Sequence, residues 1–141
     1  MKYISHSGNP ILIGHFPGQC RSIENNIKII AETMKKKVHV PDNITIVSPI
    51  TENTLNNSPL PIQLNNSGID YINPLLGKNV IWRPHEKIKY VLDGLKEVKT
   101  EYTLIMDGND AVIMDDLDTL IDKYKTYGKD IIYNATCWRF P

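Results

Sequence analysis

Residues 101–117 read EYTLIMDGNDAVIMDDL, and the reading of this stretch decides the fold. Tyr102 to Met106 is an apolar run of the length expected for a buried strand. It ends abruptly in two carboxylates, Asp107 and Asp110, with Gly108 and Asn109 between them. Glycine and asparagine tolerate the left-handed backbone of a tight turn, so the chain is expected to curl there and bring both carboxylates to one side. Two hard oxygen ligands at the C-terminal tip of a strand suit Mg²⁺ or Mn²⁺, with water or substrate phosphates completing the shell. That edge is also where open α/β sheets bind ligands. The plainer reading is a polar turn joining two elements.

Working outward, the segment before this strand reads as a helix. Arg83-Pro84-His85-Glu86 opens it, with Pro84 acceptable in the first turn. Ile88, Val91, Leu92, Leu95 and Val98 form an apolar stripe at helical spacing. Gly94 weakens such a helix by about 1 kcal/mol against alanine, which suggests a close packing contact there. After the carboxylates, Asp115 or Asp116 is placed to cap a helix burying Leu117, Leu120, Ile121 and Tyr124, with Gly128 as its stop. Asp130 to Asn134 reads as a final strand.

Further upstream, Pro10 to Phe16 is a β-rich run, broken by the loop Pro17-Gly18-Gln19. Ser22 is placed to cap a helix whose stripe is Ile23, Ile27, Ile30 and Met34, and Lys35-Lys36-Lys37 suit its negative C-terminal end as a solvated run. Asn43 to Val47 reads as a second strand, with short strands at Ile69 to Ile72 and Asn79 to Trp82. Residues 48–68 are rich in Pro, Asn and Ser and read as a long irregular connection, either a lid or variable surface. Strands alternating with helices give one α/β domain over residues 1–141, with a mainly parallel sheet.

Sixteen basic and sixteen acidic residues balance, so nothing in the charge suggests a nucleic-acid or membrane-surface partner. An anionic ligand must then be held locally. Cys20 and Cys137 match no metal spacing, and MKYISHSGNP lacks the apolar core of a signal peptide. Reduced thiols in a cytoplasmic protein are expected, and the sequons at Asn43, Asn56, Asn65 and Asn134 carry no meaning without export. His6, His15, His39 and His85 are scattered without ligand spacing. Trp82 and Trp138 read as packing residues able to stack on a base or sugar, and Asp115, Asp116 and Asp118 as helix-start acids.

The succession of amphipathic helix, apolar strand, LIMDGNDAVI (residues 104–113), capped helix and YNATCWRFP (residues 133–141) is similar to the GT-A nucleotide-sugar glycosyltransferases. The likeness is strongest to the procollagen galactosyltransferase and lysyl-hydroxylase-associated group, and it covers roughly residues 80–141. It implies a Rossmann-like GT-A fold with helices on both faces of the sheet. It makes Asp107 and Asp110 the ligands of Mn²⁺ or Mg²⁺, and places Lys87, at the head of the preceding helix, against the nucleotide or its phosphates. Gly108 and Asn109 join Lys87 in holding the donor, a UDP-sugar, whose sugar passes to a hydroxyl acceptor. No base or nucleophile is assigned.

Thr136 stands where the pattern has a glutamate, and the spacing from Ala135 to Trp138 is short. Such enzymes continue into an acceptor-binding half with a third metal ligand. The expectation is therefore a donor-binding half, completed by a partner chain, or a non-catalytic nucleotide-sugar-binding module. A dehalogenase-type phosphatase is disfavoured because Asn109 occupies the acid/base aspartate position, and an EF-hand because the ligand positions do not align from Asp107.

Overall fold

The computed structural model describes residues 12–15 and 24–132. The Pro17-Gly18-Gln19 loop, the Ser22 cap, Cys20, Cys137 and the YNATCWRFP segment lie outside the described residues. Of the first expected strand, β1 spans Ile13–His15, and α1 spans Glu24–Lys35. Then come β2 (Ile44–Val47), α2 (Glu52–Leu55) and α3 (Pro59–Ser67). A 3₁₀ turn at Pro84–Glu86 leads into α4 (Lys87–Leu95), followed by β3 (Tyr102–Ile105), β4 (Ala111–Ile113) and α5 (Leu120–Thr126).

The α/β class is observed, but the described strands form two separate pairs. β2 and β3 are parallel, with Ile44 opposite Tyr102 and Val47 opposite Ile105. β1 and β4 are antiparallel, with Ile13 opposite Ile113. The expected strand at residues 69–72 contributes one bridge, where Ile72 exchanges backbone hydrogen bonds with Ile46 and Ser48 on the other edge of β2. The expected strands at residues 79–82 and 130–132 are absent, and Tyr133 and Asn134 lie outside the described residues.

Neighbouring residues of a strand point to opposite faces, and that alternation places the helices. Ile46 lies in the core with Leu60 and Leu64 of α3, Met106, Ile113 and Leu117. Val47 faces the other way and meets α4, where a β-carbon at Gly94 would stand 2.8 Å from Val47 Cγ1. The close approach suggested by Gly94 is therefore present. α3 and α4 thus pack on opposite faces of β2, while the neighbouring Ile105 of β3 stays exposed.

Residues 48–68 are not irregular: Pro59 begins α3, and Gly68 ends it in the left-handed conformation with φ 70°. β3 is half-buried rather than buried, because Thr103 and Ile105 face outward while Leu104 packs on the core. On α1, Ile27 is exposed and Thr33 is buried, since Thr33 is where the helix meets α3. On α4, Ile88 and Leu92 are exposed, because the helix turns its glycine rather than its full stripe to the sheet. Asp115 and Asp116 do not cap α5. Thr119 precedes that helix, and the acids instead bind the α1–β2 connection. Lys36 Nζ donates to Met114 O at 2.9 Å and pairs with Asp115 at 3.3 Å, so this member of the lysine run is not merely solvated. His39 N–H donates to Asp116 Oδ1 at 2.7 Å, and its ring lies 2.9 Å from Asp118. Gly128, with φ 55°, follows α5 as expected.

Candidate functional site

Because β2 and β3 are parallel, their C-terminal ends share one edge of the sheet. The chain leaving β2 turns through Ser48 and Ile50 into α2, and the chain leaving β3 turns through Asp107 to Asp110. Between these exits lies a cleft of about 370 Å³, lined by Asn53, Thr54, Asn57, Ser58, Trp82, Asp107, Asn109 and Asp110. Asp107 and Asp110, the two acids singled out in the sequence, both line this cavity at the C-terminal edge of the parallel pair, with Asp110 Oδ1 itself buried.

The turn that brings them there is helical in sense. Asp107 O accepts from Ala111 N–H at 3.0 Å and from Asp110 N–H at 3.4 Å. Positive φ is not needed: the described residues with φ above zero are Gly68, Gly77 and Gly128. The left-handed turn expected at Gly108 and Asn109 is thus replaced by a right-handed one. Gly108 is required for space instead, being packed against Ile50 and Ser48, with its carbonyl accepting from Leu60 N–H at 3.3 Å. It is buried beneath the cleft and does not line it, so its contribution to a ligand is through the position of its neighbours.

Asp107 is held at both oxygens. Lys87 Nζ lies 2.9 Å from Oδ2, and Asn109 N–H donates to Oδ1 at 3.2 Å. The ion pair is partly open to solvent, at 37% side-chain exposure for Lys87 and 29% for Asp107. Asn109 Oδ1 accepts from Ser58 Oγ, which also lies 2.8 Å from Thr54 O. This ties the carboxylate turn to the start of α3. Ser48 Oγ donates to Met106 O at 2.9 Å, joining the two strand exits directly below.

The donor set suits a hard divalent cation. A carboxylate oxygen offers two lone pairs, so Asp107 retains acceptor capacity beside Lys87 and Asn109. Asp107 and Asp110 would supply the two protein oxygens that Mg²⁺ or Mn²⁺ commonly takes when phosphates complete the shell. No cluster of three or more His, Cys, Asp or Glu side chains placed to hold a metal occurs among the described residues. The ammonium opposes a cation: like unit charges 4 Å apart repel by about 4 kcal/mol at the effective dielectric of a protein surface. The rest of the lining is amides and hydroxyls, from Asn53, Thr54, Asn57 and Ser58, together with Trp82. The indole is 36% exposed and its ring centroid lies 6.2 Å from that of Tyr90.

Asp107, Asp110, Lys87 and Asn109 lie together at this edge, with Lys87 on Asp107 rather than free for a phosphate. Asp115, Asp116 and Asp118 are not part of the group. Asn53, Thr54, Asn57 and Ser58 were hidden in residues read as irregular, although Ser58-Pro59 before Gly68 marks a helix start and stop. No family model, curated protein or solved structure matches this chain. No helix among the described residues is long and apolar enough to cross a membrane.

Proposed function

We propose that this chain is the donor-binding domain of a metal-dependent glycosyltransferase of GT-A type, taking a UDP-sugar and delivering the sugar to a hydroxyl acceptor. The observation that carries this reading is the convergence of Asp107 and Asp110 on a single polar cleft at the C-terminal edge of the parallel strands. Lys87 against Asp107, and Trp82 in the wall, supply the other contacts that a nucleotide diphosphate and its sugar require. Asp107 and Asp110 would hold Mn²⁺ or Mg²⁺. When bound, the cation supplies Lewis-acid neutralisation of the charge that builds on the departing nucleoside diphosphate.

In this reading Lys87 binds phosphate as a point charge, and Asn53, Asn57 and Asn109 orient sugar hydroxyls. Trp82 offers a flat apolar surface to a base or pyranose ring. The test is incubation of the purified chain with a panel of UDP-sugars and Mn²⁺, following both binding and release of UDP. Binding with UDP release supports the enzyme. Binding without turnover would make the chain a nucleotide-sugar-binding module, and no metal-dependent binding at all would discard both.

A further inference from the structure

The carboxylate that a cation would use is already committed to a side chain of opposite charge. Lys87 Nζ lies 2.9 Å from Asp107 Oδ2, while Asn109 N–H occupies Oδ1. Other acids near Lys87 on its helix are engaged elsewhere. Glu86 accepts from Tyr90 Oη at 2.8 Å, and Asp93 pairs with Lys96 at 2.7 Å. Lys87 is the first residue of α4, whose backbone is seated on the sheet through Gly94 against Val47. Its long, flexible side chain carries an ammonium that is partly in solvent.

We propose that Lys87 is an exchangeable counter-ion, competing with a divalent cation for Asp107 until a phosphate-bearing ligand draws its ammonium away. This rests on the donor-site reading above and adds its regulation. Two carboxylates and one ammonium sum to a charge of about −1; a divalent cation alone would bring the group to about +1, and a diphosphate restores the balance. The two ligands thus favour one another: the phosphate removes the charge that opposes the metal, and the metal removes the partner that retains the lysine. Such coupling is reciprocal by linkage. It makes the cleft selective for metal and diphosphate together over either alone.

The experiment is a pair of titrations on the full chain. Mn²⁺ alone is followed by the electron paramagnetic resonance signal of the free ion, and inorganic pyrophosphate alone by calorimetry in metal-free buffer. Lys87→Met keeps the stem and removes the charge, Lys87→Arg keeps the charge, and Asp107→Asn tests the carboxylate. With Lys87→Met, Mn²⁺ affinity is expected to rise about tenfold and pyrophosphate affinity to fall by a similar factor. Lys87→Arg should stay near wild type in both. Opposite movement of the two affinities is the signature, since a lysine with a merely structural role would weaken both or neither. Unchanged or weakened Mn²⁺ binding in Lys87→Met, with Mn²⁺ binding still lost in Asp107→Asn, would overturn the exchange and leave the cation site standing. Mn²⁺ binding indifferent to Asp107→Asn would overturn the exchange together with the donor-site reading.

Discussion

Gly108 and Ile50 are in contact so close that no side chain can stand between them. A β-carbon added at Gly108 would lie 2.6 Å from Ile50 Cγ1 and 2.8 Å from Ser48 Oγ. Neither atom can yield easily, since Ile50 is fully buried and Ser48 Oγ is bonded to Met106 O. Gly108→Ala is therefore expected to cost about 2 kcal/mol through overpacking, read from urea unfolding. The same shift would displace Asp107 and Asp110, so Mn²⁺ affinity should fall with stability.

Gly94→Ala sets two effects against each other. Helix propensity favours alanine by about 1 kcal/mol. The new methyl would stand 2.8 Å from Val47 Cγ1, 3.4 Å from Pro74 Cγ and 3.5 Å from Ile72 Cγ2. Overpacking of this kind costs about 1–3 kcal/mol, so the net change should be destabilising by about 1 kcal/mol. A stabilised variant in thermal unfolding would mean that α4 is not seated on β2 as described.

Gln63 is fully buried and acts as a partner for β4. Its Nε2 donates to Ile113 O at 2.7 Å and to Thr33 O at 3.0 Å, and its Oε1 accepts from Ile113 N–H at 2.8 Å. On the other side of β4, Met114 N–H donates to Leu12 O at 2.7 Å. Gln63→Leu conserves volume but strands the buried N–H and C=O of Ile113, while Thr33 O keeps the Lys36 N–H at 3.0 Å. A loss of about 3 kcal/mol or more is expected in urea unfolding, because each unsatisfied group costs roughly 1–3 kcal/mol.

Burial raises the Tyr71 phenol above its ordinary value of 10.0. The folded chain then holds this proton more tightly than the unfolded chain does. The contribution is complete below pH 10.0 and is lost as pH rises through the raised folded value. The urea midpoint should drop between about pH 9 and about pH 11, and drop less in Tyr71→Phe.

Much of the site was legible in the sequence because it rests on local chemistry. A strand running into Asp107 and Asp110 fixes both side chains near one sheet edge, and Pro84 with Lys87 marks the head of the preceding helix. The pairing of Lys87 with Asp107 was not legible, since it joins the head of α4 to the end of β3 and no local pattern displays it. β4 was missed, since Ala111 to Ile113 are only three residues long and their strand character comes from β1 and the Gln63 amide. Local pattern also could not orient α1 and α4. Their buried faces are set by Gln63 reaching Thr33 and by Gly94 meeting Val47, which no periodicity displays. Asp115, Asp116 and Asp118 looked like helix-start acids because dipole preference is the nearest local cause. Their tertiary partners, Lys36 and His39, lie more than seventy residues away.

The most direct measurement is a titration of the chain with UDP-sugars in the presence and absence of Mn²⁺, comparing wild type with Asp107→Ala and Asp110→Ala. Binding that needs the metal, and that weakens about tenfold or more in each variant, is the expected result. Wild-type affinity retained in both variants would contradict it and leave residues 107–110 a polar turn between two strands.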